Sequence, residues 1–279
     1  MIWKLPHETV SFERTVVMGI LNLTPDSFSD GGRYLEPEAA LKRAAQMVAD
    51  GADILDLGAE STRPGAQPVP ETEELERLLP VLEKIREKLT VPVSIDTTKS
   101  EVARKCLEAG AAIINDVSGL KRSGVAMAKV AREFGAGLVL MHSRGTPETM
   151  QTLTDYSVVV AEVLAELHES IGMATAAGVD REAIVIDPGL GFAKTAGQSL
   201  EILRNLKVFC ELGFPVMIGP SRKSFIGQVT GRETPEREFG TAACVAAAVL
   251  QGVRILRVHE VKAMRDVIVM AEAIRGLPL

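Results

Sequence analysis

A closed (β/α)8 TIM barrel with a short N-terminal extension is the fold this sequence predicts, on three observations. Eight times a short apolar run ends in polar, Gly or Pro residues: VVMGILN (16–22), ILDLGAEST (54–62), VSIDTTK (93–99), IINDVSG (113–119), LVLMHS (138–143), IVIDPGLGF (184–192), VMIGPSRKS (216–224) and ILRVHE (255–260). Each run is followed by a stretch of helical periodicity, and strict strand and helix alternation implies right-handed crossovers and a parallel sheet. The chain has 279 residues, near the roughly 250 typical of such a barrel.

The strands read as 16–21, 53–57, 92–95, 112–115, 137–141, 184–187, 215–219 and 254–258. The helices read as 37–50, 71–89, 99–109, 122–134, 155–177, 196–207, 235–251 and 260–275. Pro37 and Pro235 stand near first turns, and Gly51, Gly110, Gly178 and Gly252 follow last turns. Residues 1–15 are expected to pack on the barrel bottom. One domain, 1–279, accounts for the whole chain. An open doubly wound sheet would gather polar residues at one switch point, whereas here nearly every strand end carries them, as a closed ring requires.

A strand buried on both faces is apolar throughout. Asn22, Asp56, Asp96, Asn115, His142, Asp187, Lys223 and Arg257 are therefore expected where burial ends, on one rim. Two connections, 22–36 and 58–70, exceed the roughly two to six residues usual between a strand and its helix, and their Gly, Pro, Ser and Asp content suits lids.

Composition narrows the function. A net charge of −6 disfavours nucleic acid and acidic membrane surfaces, which require a broad basic face. The basic residues Arg63, Arg222, Lys223, Arg257 and His259 instead cluster at strand ends, as a small anionic ligand requires. Cys106, Cys210 and Cys244 lack CxxC spacing and are expected as small buried hydrophobes. The N-terminal residues lack the apolar stretch of a signal peptide and no apolar run nears the about 20 residues of a membrane span, so the expected compartment is cytoplasmic. No Ser-His-Asp set or Walker loop follows a strand, and GLGFAKT is too short for a dinucleotide fingerprint.

Seven segments, NLTPDSFSDGG (22–32), GAESTRPGA (58–66), SIDTTKS (94–100), INDVSG (114–119), IDPGLGFAKT (186–195), GPSRKSFIG (219–227) and RVHEV (257–261), together resemble the dihydropteroate synthase family over nearly the whole chain. The resemblance implies the joining of a dihydropterin carrying a CH2-diphosphate group to 4-aminobenzoate, with release of diphosphate, in folate biosynthesis. It places Asp96, Asn115 and Asp187 at the donor-rich pterin edge, which carboxylate and amide groups can read, although strand-end Asp and Asn also cap helices. Asp96, Asp187 and Lys223 are the implied catalytic residues, and Ser224 contacts the aminobenzoate carboxylate. Asn22, Thr62, Arg63, Arg257 and His259 hold the diphosphate, and Asn22 also ligates Mg2+, an ion that takes few protein oxygens beside those of a phosphate. Phe192 and Pro64 are expected to wall the aminobenzoate ring, with ordinary loop packing as the alternative, and Phe28 is expected to be a lid contact. His142 lines the mouth, and Arg222 anchors a helix. The resemblance also implies a homodimer through late helices, around 235–275. A pterin-dependent methyltransferase domain serving a corrinoid partner is the alternative, but it has no use for Arg63, Arg257 and SRKSF together.

Overall fold

Side chains along the strands sort into two separate cores, because successive residues point to opposite faces of a sheet. In the computed structural model, which describes residues 1–24, 37–63 and 65–277, the strands are β1 (Ile2–Lys4), β2 (Thr9–Ser11), β3 (Val16–Asn22), β4 (Ile54–Gly58), β5 (Val93–Asp96), β6 (Ile113–Asp116), β7 (Gly137–Met141), β8 (Ile184–Asp187), β9 (Met217–Ile218) and β10 (Ile255–Val258). Val16, Met18, Ile54, Ile113, Val139, Val185, Met217 and Ile255 form a plug inside the ring. Their neighbours, such as Val17, Leu55, Ile114, Leu138, Ile184 and Leu256, join the larger core beneath the helices.

The eight-stranded sheet runs β8-β7-β6-β5-β4-β3-β10-β9, with parallel pairing throughout. A parallel bridge between Ile186 and Val216 closes the ring, and the Ile186 N–H donates to the Pro215 carbonyl at 3.0 Å. The fold is the expected (β/α)8 barrel.

Its helices are α1 (Pro37–Ala49), α2 (Glu71–Lys88), α3 (Ser100–Glu108), α4 (Gly124–Phe134), α5 (Val159–Ala176), α6 (Ala196–Arg204), α7 (Leu206–Cys210), α8 (Ser224–Thr230), α9 (Glu238–Gln251) and α10 (Val261–Arg275). The predicted helix 196–207 is broken at Asn205, whose side-chain amide donates to the Glu201 carbonyl and ends α6. The predicted helix 235–251 starts later, because Pro235 sits in a separate 3-10 turn, Thr234–Glu236. Helix α8 lay outside the periodicity reading, since seven residues are too few to display a repeat.

The N-terminal extension is an antiparallel hairpin, β1 with β2, that stoppers the barrel bottom. Trp3, Leu5 and Phe12 join the inner plug, and the fully buried Trp3 indole N–H donates to the Ala183 carbonyl at 2.8 Å. Cys106 and Cys244 are buried free thiols and Cys210 is half-buried. Among the described residues no helix is long and apolar enough to cross a membrane.

Candidate active site

Directly above the apolar plug the inward positions turn polar. Asp56 follows Ile54 by two residues, Asn115 follows Ile113, Asp187 follows Val185 and Arg257 follows Ile255. Strand register aligns Asn22 with Gly58, Gly58 with Asp96, and Asp96 with Asn115 across β3 to β6. Gly58 has no side chain to fill this layer: a Cβ there would stand 3.8 Å from Asp96 Oδ2 and 3.9 Å from Asn22 Oδ1.

One expectation is corrected here. The polar strand-end residues do not mark where burial ends, since Asp56, Asp96, Asn115, His142 and Asp187 are all buried. Asp56, Asp96, Asn115 and Asp187 face the narrow barrel interior, whereas His142, expected at the mouth, lies on the outer face of β7 against Glu166 of α5 and Lys194. Only Asn22, Lys223 and Arg257 retain partial exposure.

Arg257 ties two carboxylates together. Its Nε donates to Asp56 Oδ2 at 2.6 Å and its Nη2 to Asp96 Oδ2 at 2.7 Å, while Asn115 Nδ2 donates to Asp56 Oδ2 at 3.2 Å. Three buried oxygens of the same layer, Asp56 Oδ1, Asn115 Oδ1 and Ser94 Oγ, have no hydrogen-bond partner. Buried polar atoms left unpaired are costly, about 1–3 kcal/mol each. Their common location fits a ligand with several N–H donors.

Burial pushes the Asp96 carboxyl up to about 7, against the opposing pull of Arg257. Burial likewise pushes Asp187 up to about 6, although its Oδ1 accepts from the Gly189 N–H at 2.7 Å. Lys223, between them, is pushed down to about 8 by burial and then by Arg257, while Asp187 and Asp96 oppose the shift. Its Nζ stands 4.0 Å from the centre of the Phe192 ring, a cation–π contact. Two carboxyls and an amine whose pKa values converge near neutrality in one cavity are a signature of a chemical site.

The remaining predicted residues lie around this floor. His259 is held by Ser221, whose Oγ is 2.9 Å from His259 Nδ1 and accepts from the His259 backbone N–H at 3.3 Å. Burial, then Arg257, Arg222, Lys223 and Arg63, hold the imidazole down to about 3, so it is neutral beside four cations. Such a concentration of positive charge suits a multiply charged anion. Thr62 and Phe192 line one cleft beside it, and Arg63 is exposed above. Ser224 is exposed as the first residue of α8, with Lys223 immediately before the helix. Arg222 pairs with Glu260 at 2.6 Å, a bond joining the start of α8 to the start of α10. Pro64, Phe28 and residues 25–36 of the first long loop lie outside the described residues.

Two site residues escaped the sequence reading. Asp56 was placed on the rim but given no role, although its inward spacing equals that of Asn115, Asp187 and Arg257. Lys194 carried no signal, because a lone lysine after an apolar segment is ordinarily a solvated one. In the structure it is 3% exposed.

Comparison with known proteins agrees with this geometry. The model of a family described as pterin binding enzyme matches residues 18–259. A dihydropteroate synthase of Synechocystis is 48% identical over 263 residues, covering 94% of this chain and 91% of that protein. Among solved structures, the Xanthomonas albilineans dihydropteroate synthase with 4-aminobenzoic acid is similar at a TM-score of 0.92 and 41% identity, covering 100% of both chains. A dihydropteroate synthase from Coxiella burnetii in complex with pteroic acid is similar at a TM-score of 0.89 and 34% identity, again covering 100% of both chains.

Proposed function

Since this chain belongs to the pterin-binding enzyme family, among the dihydropteroate synthases, we propose that its barrel mouth transfers a pterin-methyl group from diphosphate to 4-aminobenzoate. The observation carrying this reading is the polar layer itself: unpaired acceptors at the barrel mouth, two carboxyls with raised pKa values, and a cationic cradle beside them. The floor accepts the N–H groups of the pterin edge, and the cradle of Thr62, Arg63, Arg257 and His259 takes the diphosphate. Phe192 stacks on the aminobenzoate ring, and Ser224 meets its carboxylate. The alternative methyltransferase reading is not favoured, because the relatives over nearly all of the chain are dihydropteroate synthases.

The C–O bond to diphosphate breaks and its electron pair leaves with the phosphate, giving a cation conjugated with the pterin ring. The aromatic amine donates its lone pair to that carbon, a C–N bond forms, and the resulting ammonium sheds a proton. Ionised Asp96 and Asp187 stabilise the developing cation, and Lys223 and Arg257 the departing anion. Among the described residues no group of three or more His, Cys, Asp or Glu could form a metal cage. A single amide oxygen, Asn22 Oδ1, near the Asp96 carboxylate fits Mg2+, which would take its other oxygens from water and diphosphate and neutralise leaving-group charge.

The test is turnover. Purified protein given the dihydropterin diphosphate, 4-aminobenzoate and Mg2+ is expected to release dihydropteroate and diphosphate in equal amounts. kcat/KM reports groups of the free enzyme. It should rise as Asp96 and Asp187 lose protons near pH 6 to 7 and fall as Lys223 loses its own above about 8. A flat profile between about pH 5.5 and 9 contradicts the role assignments.

We also propose that the protein is cytoplasmic and a homodimer. Phe239 is 90% exposed on α9, and Val229 on α8 with Met270 and Ile274 on α10 are also exposed. Exposed apolar side chains on these late helices support such an association. Light scattering on Phe239→Asp should give a monomer where the unmodified protein gives a dimer, and an unmodified monomer disproves the assembly.

A further inference from the structure

The loop after β8 is wound unusually. Gly189, Gly191 and Ala193 have left-handed backbone, with φ of 69°, 79° and 47°. A Cβ at Gly189 would lie 1.9 Å from the His142 carbonyl oxygen, so only glycine fits there. Ala193 occupies a region that L-residues avoid, and the conformation persists only if its surroundings impose it.

Lys194 braces this loop. Its Nζ donates to the carbonyls of Gly189 and Phe192, both at 3.0 Å, and lies 2.9 Å from His142 Nδ1. Three acceptors around one nitrogen match the three N–H groups of an ammonium, whereas a neutral amine offers two. With Nδ1 accepting, the His142 proton sits on Nε2, 3.2 Å from Glu166 Oε2. Arg144 in turn donates to Glu166 through Nε at 2.9 Å. The buried Lys194 amine, whose pKa burial pushes down to about 7, is thereby linked, through a neutral imidazole, to a carboxylate nearer the surface.

We propose that Lys194 is a positioning residue for the aminobenzoate site, setting the Phe192 ring against Lys223 by holding the two carbonyls of the loop that carries it. The proposal rests on the reading of Phe192 as a wall of that site. Lys194 itself touches neither substrate.

The experiment is a double-mutant cycle on steady-state kinetics, with thermal melting recorded beside it. Lys194→Met should raise KM for 4-aminobenzoate about tenfold while KM for the pterin diphosphate stays within about twofold, as misplacement of one wall demands. Combined with Phe192→Ala it should add nothing to the KM effect of Phe192→Ala alone, because one acts through the other. Effects that multiply, an equal rise in both KM values, or an unchanged KM for aminobenzoate would each overturn the proposal. Should Lys194→Met fail to fold, Lys194→Arg, which keeps the cation but not its geometry, is judged by the same criteria. If Phe192→Ala leaves the KM for aminobenzoate unchanged in an otherwise active enzyme, the reading of Phe192 fails first and the role of Lys194 falls with it.

Discussion

Lys223→Ala should lower kcat for dihydropteroate formation about a thousandfold, the scale of losing one preorganised charge at a developing anion, while leaving the melting temperature unchanged or raised. Both halves of the expectation have one cause. Lys223 is an amine whose pKa burial pushes down to about 8, which means the folded protein holds that charge against its solvation preference. Asp96 and Asp187 offset the cost only in part, and the Phe192 ring supplies the remaining contact at 4.0 Å. Removing the side chain removes the penalty together with the function, a trade seen where a site is strained for its task. The sign of the linkage agrees. A folded pKa below the unfolded value of 10.5 means stability contributed by the neutral amine above that value and lost as pH falls toward 8, so at neutral pH the ammonium is a net burden. Rate and melting curves on the same preparation decide it. Loss of activity accompanied by a melting temperature lowered by several degrees would make Lys223 a structural residue instead.

Arg257→Leu is expected to do the opposite to stability and an equal harm to activity. The guanidinium is the shared partner of Asp56 and Asp96, which are 0% and 8% exposed. Removing one member of a buried ion pair costs about 3–5 kcal/mol, because the remaining charge stays buried and unpaired. In a chain of this length each kcal/mol corresponds to roughly 2–4 °C in melting temperature, so a drop on the order of 10 °C should be seen near pH 8. The deficit should shrink in acid. Burial already raises Asp96 to about 7, and loss of the opposing Arg257 raises it further. A carboxyl with folded pKa above its unfolded 3.8 contributes stability below that value and loses it as pH rises through the folded pKa. The part of the deficit due to Asp96 should therefore shrink as pH falls from 8 to about 5, where Asp96 is protonated and carries no unpaired charge, while the part due to Asp56 remains. Identical melting of the two proteins at pH 8 would show that the Arg257 bonds contribute no net stability. Turnover should fall with them, since the same guanidinium stands in the anion cradle.

The two substitutions separate groups that look alike in sequence. Both are cations at strand ends beside apolar runs, and spacing alone put them in one anion-holding set. Only the folded chain shows Arg257 with two carboxylate partners and Lys223 with an aromatic ring. That difference decides the opposite signs for stability.

The architecture was legible because it depends on local and repetitive physics. Eight apolar runs at the spacing of βα units can bury themselves on both faces only in a parallel sheet, and polar residues after every run leave no place for an open edge. Polar identity at inward positions also survived translation, and Asn22, Asp96, Asn115, Asp187, Lys223 and Arg257 converge on one mouth. Tertiary structure alone decided depth and pairing. Asp56 is fully buried and Lys194 nearly so, yet each reads as an ordinary rim or surface residue. Periodicity records which way a side chain faces but not how far below the surface it ends. Whether a buried charge is tolerable depends on partners such as His142 for Lys194, 52 residues away along the chain and brought near by the pairing of β7 with β8.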